Sequence, residues 1–178
     1  MAKQSERDVT SAIAKFNSDR GWIINSFSQI ECRLADLIIQ CQGIADYEEL
    51  NQLPLPMGVG SRITRVRELM KSGPLSAHAA PLEKLLSRLE EFEELRHLMT
   101  HGYAAFHFTP DGDMGMAFMR FVPPKKGEQY TEERKFYRLD TMHKQRESSL
   151  AFVSMAMDEL RKIYEAVGLD PDRLAELN

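Results

Sequence analysis

A mainly α-helical, antiparallel bundle with a β-hairpin inserted before its last long helix is the fold class this sequence predicts. Three observations carry the prediction. Apolar residues recur three and four apart through several long stretches. Clusters of proline and glycine separate those stretches. Between about 103 and 138 the pattern changes to strand-like alternation around a Thr-Pro-Asp-Gly-Asp segment.

Taken in order, a polar leader that is itself a helix candidate covers about 5–17. A long helix is expected from near Ser18 to about Ala45, with Trp22, Phe27, Ile30, Leu34, Leu37, Ile38, Cys41 and Ile44 as its apolar stripe. Pro-Leu-Pro and Gly-Val-Gly at 54–60 break the chain into a loop. Ser61 is the expected N-cap of a short helix that stops before Gly73-Pro74. Pro81 suits the first turn of the next helix, which runs to His101 and ends at Gly102. Tyr103–Phe108 and Met114–Phe121 read as the two arms of a hairpin with an Asp-Gly turn, and a third strand is expected at about 130–138. Asp140 is the expected cap of the final helix. Met142, Leu150, Val153, Met157, Leu160, Ile163 and Val167 fall on one stripe of it, and Gly168 and Pro171 end it. Short connections between long helices imply antiparallel neighbours.

The chain has 178 residues, a single domain's length, so 1–178 is read as one domain. At 43% hydrophobic and 28% charged it has enough apolar material for a core. Its net charge of −4 means that any nucleic-acid contact must use a local patch. No apolar run is long enough for a membrane span, and the polar start MAKQSERDVT lacks a signal peptide's apolar stretch. A cytoplasmic location and no membrane association are therefore expected. Cys32 and Cys41 lie on one helix, roughly 13 Å apart along its axis, and cannot bridge. Both are read as small core residues, and no zinc spacing is present.

The richest stretch chemically is Glu94-Leu95-Arg96-His97-Leu98-Met99-Thr100-His101-Gly102-Tyr103. On the helix over 81–101, Leu82, Leu85, Leu89, Phe92, Arg96 and Met99 step by three or four, so Arg96 stands where an apolar residue is due. A half-buried guanidinium needs an acid, a phosphate or a second subunit. An arginine can hold a phosphate, and a histidine can move a proton near neutral pH. His101 lies five residues on, about 140° around the helix, so a straight helix does not set it beside Arg96. A bent terminus at Gly102, or a symmetric dimer, would bring them together.

Arg96-x4-His101, with the polar His97 directly after the arginine, resembles the Arg-x(4–6)-His motif of HEPN domains. The further match His101-x-Tyr103 is similar to the form found in HEPN toxins that pair with a minimal nucleotidyltransferase antitoxin. The resemblance covers the motif and the surrounding helical layout, not the segment 103–138. It implies a homodimeric, metal-independent endoribonuclease of the toxin–antitoxin or phage-defence kind, needing no cofactor. Arg96 and His101 would carry the transesterification, with His97 and Tyr103 secondary. It also implies an antitoxin partner that would modify Tyr103 with AMP. The alternative is a non-catalytic HEPN-like module that binds protein or nucleic acid.

Two other constellations stand beside this motif. Glu93, His97 and His101 share a helical face, and Glu94-x-x-His97 has a metal-ligand spacing, but no second Glu-x-x-His exists elsewhere, so no metal site is expected. Residues 120–146 hold four more cations than anions. Arg120, Lys125, Lys126, Arg134 and Lys135, interleaved with Tyr130, Phe136 and Tyr137, form a possible track for single-stranded RNA. Charged edges that block aggregation are the plainer account. His78, His107 and His143 show no constellation in the sequence.

Overall fold

The computed structural model describes residues 2–109, 113–122, 124 and 129–174. Among the described residues six α-helices and three strands follow one another: α1 (Ala2–Cys41), α2 (Glu48–Asn51), α3 (Val59–Leu69), α4 (Ala79–Glu91), α5 (Glu93–His101), β1 (Tyr103–Phe108), β2 (Met114–Val122), β3 (Thr131–Arg138) and α6 (Leu139–Ala166), with 3-10 turns at Ala45–Tyr47 and Pro74–His78. The protein is mainly helical, with a small three-stranded antiparallel sheet before the last long helix. The chain divides into two compact units. One comprises Met1–Ser26 and Glu93–Ala151, the other Phe27–Phe92 and Phe152–Asn178. Among the described residues no helix is long and apolar enough to cross a membrane.

α1 is one unbroken helix of 40 residues, with no boundary near Ser18. Its buried positions Ala12, Phe16, Asp19, Ile23, Phe27, Ile30, Leu34, Leu37 and Cys41 keep a strict three–four spacing. That spacing corrects two expectations. Trp22 falls one residue off the stripe and is 47% exposed, with Ile23 buried in its place. Cys32 falls off it too and is exposed, whereas Cys41 is buried and its thiol is pushed up to about 12 by desolvation.

In the second unit α3 starts at Val59 with Gly58 as its N-cap, so Ser61 is already inside the first turn and bonds back to the Gly58 carbonyl. Gly73 is held at φ 62°, and a Cβ there would lie 2.8 Å from the Tyr47 ring. Glycine is thus required twice over at the entry to the 3-10 turn Pro74–His78 that precedes α4. The helix expected over 81–101 is interrupted at Phe92, the C-cap of α4. Glu93 and Glu94 then stand in the first turn of α5, where carboxylates suit the helix dipole.

In the first unit the sheet order is β1-β2-β3, so the expected hairpin carries a full third strand. The hairpin arms sit where alternation places them, and Thr109 and Asp113 bond to each other across the connection. The Asp-Gly turn itself lies outside the described residues. Register sorts the side chains into two faces. Met116, Phe118 and Tyr137 lie on the buried face, with Phe118 packed on Phe16 of α1. Tyr103, Phe121 and Phe136 are exposed, on the other. α6 begins at Leu139, one residue before Asp140, which therefore lies in its first turn and is not its cap. Gly168 closes α6 at φ 75°, with the Leu169 N–H bonded to the Tyr164 carbonyl.

Candidate functional site

The last two turns of α5 carry the motif, and all its residues belong to the first unit. α5 packs on β2, with Leu95, Leu98 and Met99 buried. Arg96 and His97 are half-buried, His101 is exposed at the helix end, and Tyr103 opens β1 with 67% of its surface exposed.

His97 joins the arginine to the second histidine. Arg96 Nη2 lies 3.1 Å from His97 Nε2, and the His97 and His101 rings are 5.8 Å apart between centroids. The i,i+4 spacing of the two histidines does what the five-residue spacing of Arg96 and His101 cannot. His97 Nε2 also lies 3.5 Å from Glu93 Oε1. Burial lowers the His97 pKa from its ordinary 6.5, Arg96 lowers it further, and Glu93 opposes both. A neutral ring whose nearer partner is a guanidinium N–H must accept at Nε2, which puts the ring proton on Nδ1.

Arg20, a residue that sequence reasoning missed, secures the end of this helix. Its Nε donates to the Met99 carbonyl at 2.8 Å and its Nη2 to the Gly102 carbonyl at 3.2 Å. The guanidinium stands 5.4 Å from the Phe118 ring centroid, and burial lowers its pKa. Carbonyls at a helix C-terminus lack intrahelical partners and favour a cation. No local signal marks Arg20, since its partners lie about eighty residues along the chain. Gly102 makes the turn into β1. A Cβ there would lie 2.4 Å from the Leu98 carbonyl oxygen and 3.2 Å from Phe118.

The basic track is more tightly paired than its sequence implies. Arg120 Nε meets Glu133 at 2.6 Å, Lys135 meets Glu94 at 2.7 Å, and Arg134 bonds Glu132. Lys125 and Lys126 lie outside the described residues. Of the aromatics in the track, Tyr137 is buried on the core face, while Phe136 and Tyr130 are exposed.

His143, which shows no constellation in the sequence, has one in space. Its Nδ1 is 3.5 Å from the buried Asp19 and its Nε2 3.3 Å from Glu147, and Arg146 Nη1 also reaches Asp19 at 3.5 Å. Asp19 sits on the α1 stripe, and the Arg146 guanidinium offsets part of the cost of burying it. The second unit holds a cavity of about 410 Å³ lined by Cys32, Arg33, Met157, Arg161 and Tyr164, on which no sequence motif falls. Among the described residues no group of three or more His, Cys, Asp or Glu side chains is placed to hold a metal ion. In comparisons with known proteins, no family model, no curated protein and no solved structure matches this chain.

Proposed function

We propose that the protein is a metal-independent endoribonuclease of the HEPN type, acting in a toxin–antitoxin or phage-defence setting. The observation that carries the reading is the linked row Arg96–His97–His101 at the end of α5, half-buried at one end and exposed at the other. A phosphodiester needs a fixed cation for the charge that develops on phosphorus and a base for the 2′-hydroxyl. Arg96 supplies the first and His101 the second. His97, neutral and accepting from Nη2, is the positioning residue that aims the guanidinium. The 2′-oxygen attacks phosphorus as its proton passes to His101, the P–O5′ bond breaks, and the protonated His101 returns that proton to the departing 5′-oxygen, giving a 2′,3′-cyclic phosphate and a 5′-hydroxyl.

A homodimer belongs to the same reading, as does a nucleotidyltransferase antitoxin. The exposure of Tyr103 supports its availability for modification. The second reading, a non-catalytic module that binds protein or nucleic acid, is favoured by one observation: an exposed sheet face carrying Tyr103, Phe121 and Phe136.

The two readings part on total cellular RNA incubated with the full chain in chelator. The nuclease reading expects cleavage to cyclic-phosphate ends, and a loss of about 10²-fold or more in Arg96→Ala and in His101→Ala. Intact RNA, or either variant cleaving at the parent rate, overturns it. Mixing the two variants adds a check on the dimer: recovered activity would mean that one subunit supplies the arginine and the other the histidine.

A further inference from the structure

We propose that the solvent-facing side of the sheet is a stacking platform for unpaired RNA, which makes single-stranded segments the substrate class. The choice of RNA rests on the nuclease reading; the platform itself rests on register. Tyr103, Met119 and Arg134 stand opposite one another across the three strands. Phe121 lies two residues from Met119 and Phe136 two from Arg134, so all five point to one side. Tyr103 is 67% exposed, Phe121 65% and Phe136 38%.

The floor between the rings is made of Ala105, Ala117 and Gly115, which leaves it flat. Gly115 has no room for a side chain: a Cβ there would lie 2.5 Å from the Phe136 ring, which lies over it. No branched aliphatic residue occurs among the strand residues on this side, so it offers planar surfaces and not a greasy groove. Arg134 and Arg138 flank the rings, and among the described residues each pairs with an exposed carboxylate, Glu132 and Asp113 respectively. Exposed ion pairs of that kind are weak, so a phosphate can take the carboxylate's place. Base faces stack on aromatic rings whatever the sequence. In an A-form duplex those faces are already occupied, which is why such a surface selects unpaired strands. Tyr103, the platform residue of β1, follows His101 by two positions in the chain.

The test is fluorescence anisotropy with full-length His101→Ala protein, which separates binding from cleavage. The probe is a short labelled RNA, used single-stranded and then annealed to its complement. Tyr103→Ala and Phe121→Ala, each made in that background, are expected to weaken single-strand binding about tenfold. The duplex is expected to bind at least about tenfold more weakly than the single strand. Met57→Ala, an 87% exposed residue of the second unit, serves as the control and should bind as the parent does. Equal affinity for duplex, parental affinity in both aromatic variants, or no RNA binding overturns the platform. Self-association that Phe121→Ala abolishes, without RNA affinity, would give the face to a second copy of the chain instead. Binding without cleavage by the parent protein would sink the nuclease reading alone. Cleavage untouched by Phe121→Ala would sink the platform alone.

Discussion

Replacing Arg20 with methionine removes the clamp on the end of α5 while keeping most of the stem's packing volume. Two hydrogen bonds disappear, the 2.8 Å bond to the Met99 carbonyl and the 3.2 Å bond to the Gly102 carbonyl. A hydrogen bond from a charged donor contributes about 1.5–3 kcal/mol, and the longer of the two counts at the bottom of that range. The contact with the Phe118 ring adds about 0.5–2 kcal/mol. Against this stands desolvation of the guanidinium, which lowers its pKa and returns part of the gain when the charge is removed. The net expectation is a loss of about 2–4 kcal/mol. For a chain of this size that is a drop of roughly 5–15 °C in Tm. Thermal and urea unfolding followed by far-ultraviolet circular dichroism measures it. Hydrogen exchange should show the amides around 98–104 losing protection before the rest of the first unit does. A loss under about 0.5 kcal/mol, or unchanged protection at the helix end, would refute the claim that Arg20 holds this terminus.

Two further outcomes follow from titration and burial. His97 has a lowered pKa in the folded chain, so on acidification the unfolded chain takes up the proton first. Its contribution to stability is full above about pH 6.5 and is lost as the pH falls below that toward the folded value. In His97→Gln the slope of stability against pH between about 7 and 5 should flatten, and an unchanged slope would show that His97 is not held neutral. Cys32 is exposed and Cys41 is buried with its thiol pushed up to about 12. A chromogenic disulfide reagent at mild alkaline pH should therefore titrate Cys32 in the native protein and Cys41 only after denaturant is added, and rapid native reaction at both would contradict the packing of α1.

Local chemistry explains which features were legible. The strands were readable because alternation and turn residues act over a few positions, and β1, β2 and β3 begin and end close to where those signals place them. Arg96 was readable as an intruder because the stripe around it is apolar. Helical phase, and not size or polarity, decides the placement of Trp22 and Cys32. The three–four spacing through Phe16, Ile23, Ile30 and Leu37 leaves both outside it, and admits Asp19 in spite of its charge. The break at Phe92 falls on a stretch whose apolar spacing runs on through it, so periodicity alone passes over it. Arg20 and the Asp19–His143–Arg146 group escaped for a different reason. Their partners are far along the chain, and nothing in either segment announces the other.

The link between the candidate chemistry and the exposed sheet face depends on the single residue Gly102. α5 ends at His101 and β1 starts at Tyr103, so helix becomes strand across one position. Side chains alternate along a strand, which fixes Tyr103 on the open side once Phe106 and Ala104 stand on the same side as Met116 and Phe118. One residue more in that link would turn the whole pattern over and bury the tyrosine's position. The close approach of Gly102 to the Leu98 carbonyl, together with the Arg20 bond to its own carbonyl, leaves little freedom for such a slip. The Gly102 N–H also bonds the Leu98 carbonyl at 2.9 Å, which fixes the same turn from within the helix. The motif and the aromatic face are therefore joined by one short, bonded junction, and a change at Arg20 or Gly102 should disturb both together.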